Sequence, residues 1–482
     1  RGHESEKLRV SDEFLVNLIE ELSSEDSPYL FSTLPVEILG SVYEGFIGKV
    51  VRVTKSRNVK VELKPEVRKA GGIYYTPRYI VDYIVENTVG KLLEGKSPKE
   101  VSKLRILDPA CGSGSFLIRA FERVCEHYLH WLQEDRSRQR EEICWKDHQG
   151  NLHLTTHLKR QITLDNIFGV DLDPQAVEVT MLSLYLKILE GETSSSLGWQ
   201  QQLFPKESFL PDLTKNIRLG NSLIENDYFN LFSDGEERNR VKPFDWRVEF
   251  PAVMEAGGFD GVIGNPPWGQ KAVAFTDREK KYLRERYTAA AGILDMFKLF
   301  VEKALRVLQQ GGYWGMILPD IILLKNYPET RRLILDQTEI QWIAYSGMAF
   351  EGVDIDSVCL ICRKAPSSSS TTNKVRVIHD LGPDGSPRDV QPDSELPQSL
   401  FWNLRSYKFN IHLDSAKLAL LQKLERLPKL ADFLEAHEGI HSGNIREKLF
   451  LHKKRNRFCK KLIFGREEIG RYFLKWGGWW WG

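Results

Sequence analysis

Residues 104–124 read LRILDPACGSGSFLIRAFERV. A short apolar run ends in Asp108, and Pro109 behind it cannot continue a sheet because it has no N–H to donate. Gly112 and Gly114 then allow the backbone to approach a ligand closely. An amphipathic stretch follows, so the segment predicts a strand, a glycine turn and a helix whose N-terminus faces the ligand. The spacing is not G-x-G-x-x-G, because no third glycine is present. Asp108 in the turn would repel a pyrophosphate and suits an ammonium group. S-adenosylmethionine offers that feature, a cationic amino-acid end joined to a nucleoside.

Working outward, residues 71–365 alternate short apolar runs with helical stretches, the pattern of βαβ units and a parallel sheet. Seven strands are expected: LRILD (104–108), IFGVD (167–171), NIRLG (216–220), FDGVIG (259–264), YWGMILP (313–319), IQWIAYS (340–346) and DSVCLIC (356–362). The expected class is α/β, a doubly wound, mostly parallel, seven-stranded Rossmann-like sheet. The charged insertion around 131–160 reads as a surface excursion.

Ligands of such sheets bind at the carboxyl ends of the strands. The second strand ends IFGVDLDP, where Asp171 rather than Asp173 follows the apolar run and can accept from both ribose hydroxyls. The third ends IRLGNSL, where Asn221 offers a donor and an acceptor to an adenine edge. The fourth ends FDGVIGNPPWGQ (259–270), whose two prolines must close the strand with a turn.

The remaining segments differ in character. Residues 1–70 read as a helical and basic N-terminal connector; Glu62-Leu63-Lys64 has the form of a nuclease motif but lacks the scaffold for one. APSSSSTTNK (365–374) is a polar linker, and 366–482 reads as that linker followed by the start of a further region with basic charge gathered at 446–461. Both termini suggest a piece of something longer.

Bulk composition sets outer limits. Lys+Arg 67 against Asp+Glu 66 over 482 residues gives a net charge of +1, so any nucleic-acid surface must be local. The six cysteines lack disulfide spacing, and Cys359 and Cys362 lie in an apolar strand where an i,i+3 pair points to opposite faces. No metal site is expected, and reduced, cytoplasmic protein is. No stretch approaches the roughly 20 apolar residues that span a bilayer.

D-P-A-C-G-S-G-S-F and N-P-P-W together closely resemble the cofactor loop and catalytic motif of amino-methylating DNA methyltransferases, the N6-adenine group in particular. GIYYTPRYIVDYIVENTV (72–89) resembles the further cofactor motif that precedes the loop in that branch. The order is similar to the gamma arrangement, with target recognition after catalysis. YEGFIGK and REEIGRYFLKW extend the likeness to single-chain type IIG restriction–modification enzymes of the Eco57I-like kind and related phage-defence enzymes. The resemblance covers residues 36–365 most fully. It implies a bacterial or archaeal enzyme that binds S-adenosylmethionine and double-stranded DNA, with a nuclease domain or other defence subunits outside this chain. It makes 71–365 the methyltransferase core and 366–482 a partial recognition region.

By that resemblance Tyr75, Thr76, Pro77, Asp108, Ala110, Cys111, Gly112, Gly114, Asp171, Asn221 and Asn265 hold the cofactor, and Asn265, Pro266, Pro267, Trp268 and Phe350 are catalytic. Read from the residues, Thr76 is equally an N-cap with Pro77 at the first helical position. The Asn265 side-chain oxygen and the Pro266 carbonyl would accept from the two N–H bonds of an adenine amine, freeing its lone pair. Trp268 would stack on a base turned out of the duplex, with Phe350 on its other side. Phe300 is either a cofactor contact or a core residue. N4-cytosine DNA methylation and protein-glutamine N5 methylation use similar turns, and an idle DNA-binding subunit is a third alternative; the intact N-P-P-W argues against the last.

Overall fold

The computed structural model describes residues 11–23, 49–53, 59–63, 76–205, 208–231, 235–269, 275–350, 355–366, 372–383, 390–428 and short stretches between 432 and 481. Two compact units emerge, 1–412 and 413–482. The first is built on one sheet whose strands in chain order are β1 (Ile106–Asp108), β2 (Ile167–Asp171), β3 (Ile217–Leu219), β4 (Phe259–Gly264), β5 (Leu308–Pro319), β6 (Thr338–Gly347), β7 (Ser357–Lys364), β8 (Lys374–Ile378) and β9 (Ser394–Pro397). Their spatial order is β9-β8-β6-β7-β5-β4-β1-β2-β3. The run β3-β2-β1-β4-β5 is parallel throughout, β7 is antiparallel to both β5 and β6, and β9 is antiparallel to β8.

All seven expected strands form, and the mixed α/β, mostly parallel class holds. The count of seven does not, because β8 and β9 extend the sheet beyond residue 365. Trp342–Ala344 of β6 pair with Arg376–Ile378 of β8, so the sheet takes in residues just past the polar stretch 365–374. Val375, Val377, Leu396 and Phe401 are buried there. The physical reason is that Val375, Val377 and Ile378 lie on a strand too short to stand out by periodicity alone.

The chain winds from β1 outward to β3, then returns past β1 to β4 and continues the other way. That reversal puts the carboxyl ends of β1 and β4 side by side, the place where parallel sheets hold ligands. The helices that matter are α1 (Arg78–Val85), α2 (Ser115–Glu134), α3 (Pro174–Leu189), α4 (Met296–Val307) and α5 (Pro328–Gln337). A π-turn, Glu86–Gly90, prolongs α1. It lies tightly on β5 because Gly315 has no side chain: a Cβ there would fall 2.6 Å from Thr88 Cγ2 and 3.0 Å from Ile84 Cγ2. Ion pairs from Arg119 to Asp82 (2.5 Å) and Arg123 to Glu86 (2.7 Å) join α1 to α2.

The insertion after α2 is less of an excursion than expected. Cys144–Lys146 and Leu152–Leu154 form a hairpin, and Cys144 and Leu154 join the main core. Cys359 and Cys362 are fully buried and free, and no metal-binding cluster occurs among the described residues. No helix among them is long and apolar enough to cross a membrane. Residues 49–53 and 59–63 form a separate antiparallel hairpin that includes Glu62 and Leu63, while Lys64 lies outside the described residues. Within 413–482, helix Ser415–Glu425 and a small three-stranded sheet are described; most of 446–461 is outside the described residues.

Candidate active site

The glycine turn is pinned to the neighbouring strand through its own backbone. Cys111 N–H donates to Val170 O (3.1 Å), and Gly112 N–H donates to Asp171 Oδ2 (2.8 Å). Gly112 and Gly114 have φ of 53° and 87°, which glycine adopts without the Cβ penalty. Space is also missing: a Cβ on Gly114 would lie 2.9 Å from Thr180 Cγ2 and Oγ1. Thr180, fully buried on α3, donates to Gly112 O at 2.9 Å and so braces the turn from behind. Gly114 is the residue from which α2 starts. The Cys111 thiol is buried behind the turn near Gly169 and Thr180, and burial raises its pKa well above the usual thiol range. The thiol is therefore withdrawn behind the turn, and the Cys111 N–H and carbonyl are taken up by Val170 O and Gly114 N–H.

Two carboxylates flank this turn. Asp108 is 1% exposed, and its Oδ1 accepts from Ala110 N–H at 3.0 Å. Burial raises its pKa to about 8, opposed by that hydrogen bond and aided by the nearby Asp171 charge. Burial raises Asp171 too, against hydrogen bonds from Asp173 N–H and Gly112 N–H. Asp171 Oδ1 accepts from Asp173 N–H (2.8 Å), so each of its oxygens already has one backbone donor. A carboxylate has about four acceptor positions in all, which leaves capacity for two hydroxyls. Asp173 itself caps α3 by accepting from Gln175 N–H.

Asn221 is less available than its sequence position suggests. Its Oδ1 accepts from Leu223 N–H (3.1 Å) in its own turn, and its main chain bonds to Lys242 O. The turn is tied back to β1, since Ser222 Oγ donates to Pro109 O at 2.6 Å. The amide is thus held at the carboxyl edge with its nitrogen, not its oxygen, as the group without a role in the turn.

The N-P-P-W turn leaves β4 beside Asp108. Gly264 permits this approach, because a Cβ there would be 2.6 Å from Asp108 Oδ1. Asn265 Nδ2 donates to Thr76 Oγ1 (3.1 Å), and Gly269 N–H donates to Asp295 Oδ1 (3.0 Å). The turn is therefore held at its first residue and just past its last. Thr76 is buried and does not cap α1: Pro77 occupies the N-cap position, against the expectation of Thr76 as cap and Pro77 as first helical residue. The Thr76 hydroxyl is thereby available to Asn265. Tyr75 lies outside the described residues.

Trp268 and Phe350 come together with ring centroids 5.2 Å apart and planes at 89°. Phe350 is 5% exposed and belongs to the main core, against which Trp268 packs. Edge-to-face contact leaves no slot between the rings, so they do not form the expected two sides of a base sandwich; a base stacking on Trp268 requires Phe350 to yield. Phe300 is buried in a second cluster with Met296, Leu299 and Tyr282.

Asp295 and Thr180 are not evident as site residues in the sequence. Asp295 stands directly ahead of α4 and looks like an ordinary N-cap; it is 3% exposed, and burial raises its carboxyl pKa against the Gly269 hydrogen bond and the nearby Lys298 charge. Thr180 is a mid-helix threonine with no local signal.

Residues 165–350 match the family model described as Eco57I restriction-modification methylase. The type II restriction enzyme and methyltransferase RM.Eco57I of Escherichia coli is 32% identical over 342 residues, 69% of this chain and 32% of its own length. The adenine-specific methyltransferase PglX of Streptomyces coelicolor is 24% identical over 269 residues, 53% of this chain and 19% of its own. The chain thus spans a third or less of either relative. A solved DrdV–DNA complex aligns over 79% of this chain and 34% of that chain, at 17% identity and a TM-score of 0.49.

Proposed function

We propose that this chain methylates the N6 amino group of adenine in double-stranded DNA, using S-adenosylmethionine as methyl donor. The observation that carries the reading is the Asn265 amide, held by Thr76 with its nitrogen engaged and its oxygen turned away. An oxygen so fixed is an acceptor for an amine N–H.

The residues around the glycine turn suit that cofactor. Asp108 and Asp171 are carboxylates whose ionised forms are disfavoured by burial, so a cation and sugar hydroxyls would relieve them. The turn's own N–H groups at Cys111 and Gly112 are spent on β2, which is no loss for a ligand without a pyrophosphate. Thr76 and Pro77 would line the methionine end, Ala110, Cys111, Gly112 and Gly114 the turn, and Asn221 the adenine edge. When bound, S-adenosylmethionine supplies an electrophilic methyl on a sulfonium.

An exocyclic amine is a weak nucleophile because its lone pair is delocalised into the ring. Asn265 Oδ1 and Pro266 O would accept its two N–H bonds and draw the lone pair out of conjugation. Pro266 and Pro267 keep that carbonyl in place and bring no competing N–H. Trp268 would carry the extruded base on its face, and the transfer would then depend on alignment and fixed dipoles. Relatives named as adenine-specific support adenine over cytosine. We assign the wider context to a restriction–modification or phage-defence system, with residues 413–482 contributing to target recognition and a nuclease supplied elsewhere.

Incubating the protein with radiolabelled S-adenosylmethionine and mixed-sequence duplex DNA, then identifying the labelled nucleoside, tests this. N6-methyladenine is expected. N4-methylcytosine would replace the substrate with the alternative base, and label in glutamine residues of protein would overturn the DNA assignment.

A further inference from the structure

Phe350 lies between the end of β6 and the start of β7, and the two strand ends that flank it are tied together by side chains. The strands are antiparallel, with Tyr345 opposite Val358 and Gly347 opposite Ser357, so the register slips by one residue and Ser346 is the extra one. An extra residue of this kind is ordinarily left unpaired and disrupts the ladder. Here the slip is stitched. The Ser346 and Ser357 hydroxyls lie 2.9 Å apart, Ser346 Oγ also donates to Ser357 O (3.2 Å), and Ser357 Oγ donates to Gly347 O (3.1 Å). Both serines are buried.

Next to the serines, Tyr345 OH donates to Asp356 Oδ2 at 2.7 Å. The main chain at these two residues is held from outside as well. Leu381 N–H, just past β8, donates to Tyr345 O (2.7 Å), and Asp320 N–H, just past β5, donates to Asp356 O (2.9 Å). From this foot the path to the ring is short. Gly347, at a φ of 56°, turns the chain out of β6, and Ala349 N–H donates back to Gly347 O at 2.9 Å.

We propose that Tyr345 and Asp356, together with the Ser346–Ser357 pair, are positioning residues that set where the Phe350 ring stands against Trp268, and so how it meets a base turned out of DNA. The Trp268 indole N–H is buried and has no hydrogen-bond partner among the described residues, so no bond through it fixes the angle between the two rings. Edge contact between rings is weakly directional by comparison with a hydrogen bond, and the placing of Phe350 falls to its own backbone. Tyr345 and Asp356 are only half-buried, so water can replace either partner and their bond adds little to folding. Its effect is on geometry: a strand end that shifts by a fraction of a hydrogen-bond length carries Phe350 with it.

The test uses Tyr345→Phe in the full chain, a change that removes only the hydroxyl. With para-fluorophenylalanine at position 350, the fluorine resonance reads the ring current of Trp268. Tyr345→Phe should move that resonance towards its place in Trp268→Leu; an unmoved resonance would overturn the proposal, whether or not the protein methylates DNA. In kinetics, Tyr345→Phe should lower kcat/KM for DNA by about 5–10-fold and leave the Kd of S-adenosylhomocysteine within about twofold. Asp356→Asn, which keeps an acceptor, should lose less than Asp356→Ala. In a Phe350→Ala background Tyr345→Phe should cost nothing further, because no ring is left to place. Additive losses, or an equal fall in cofactor affinity, would also overturn it. The kinetic arm rests on the reading of Trp268 and Phe350 given above. A wild-type protein that binds S-adenosylhomocysteine yet methylates no DNA would defeat that reading, and the fluorine resonance would then decide the positioning alone.

Discussion

Asp295 Oδ1 accepts a 3.0 Å hydrogen bond from Gly269 N–H, tying the start of α4 to the residue immediately after Trp268. Both ends of the N-P-P-W turn are therefore anchored from outside it. Replacing Asp295 with leucine removes the acceptor for a buried hydrogen bond to a charged group, worth about 1.5–3 kcal/mol. The expected result is a roughly 10-fold or larger fall in kcat with the cofactor Kd little changed. Asp295→Asn keeps an oxygen at the same place and should lose much less. Steady-state kinetics beside equilibrium cofactor binding separates the two effects.

Removing the acceptor itself is the more severe change. Asn265→Ala should cut turnover by roughly 10²–10³-fold, the range for deleting one positioned polar group at a reacting centre. Cofactor affinity should stay within about threefold, since the glycine turn and its carboxylates are untouched. A single-turnover methyl-transfer assay checks the first statement and calorimetry the second.

Gly114 combines a φ of 87° with no room for a side chain beside Thr180. Gly114→Ala should destabilise the protein by about 1–3 kcal/mol, as expected for a residue forced into that backbone region against a packed neighbour. Cofactor binding should be lost in parallel, because α2 starts there. Denaturant titration and ligand-induced Tm shifts would report both.

Asp108 gives a pH dependence with a defined sign. Its pKa rises from the ordinary 3.8 to about 8 on folding, mainly through burial. The folded state therefore holds a proton that the unfolded state releases, and stability should fall as pH rises from about 4 to about 8. Asp108→Asn, which cannot ionise, should flatten that slope in denaturation curves taken across the range. A cationic ligand favours the ionised carboxylate, so cofactor binding below about pH 8 should release protons, measurable as a buffer-dependent binding enthalpy.

The position of the domain boundary can be tested by truncation. A chain ending at 365 would leave β6 as a sheet edge and uncover the side that Val375, Val377 and Phe401 bury. Arg331, on α5, would lose its hydrogen bonds to Ser406 O (3.1 and 2.9 Å) and become an underpaired buried cation. Such a chain should aggregate or melt well below one ending at 412, which keeps the sheet whole. Solubility and thermal unfolding of the two fragments distinguish these outcomes.

The sequence by itself determined the seven principal strands, the glycine turn and the placement of the N-P-P-W motif at a strand end. Those features are local: prolines stop strands, glycines open turns, and apolar periodicity separates strand from helix within a few residues. It also pointed to Asp108 and Asp171 as flanking carboxylates. Only the tertiary structure decided what the side chains at the sheet edge do. It turned Thr76 from a helix cap into a partner of Asn265, spent the Asn221 oxygen on its own turn, hid the Cys111 thiol and brought Trp268 and Phe350 edge to face. It also added β8 and β9, which are short strands secured by pairing with β6 and with each other. The reason is physical: a polar side chain is satisfied by whichever group converges on it in space. Asn265 and Thr76, 189 residues apart, are brought together by a helix packed on Gly315, which neither local sequence contains.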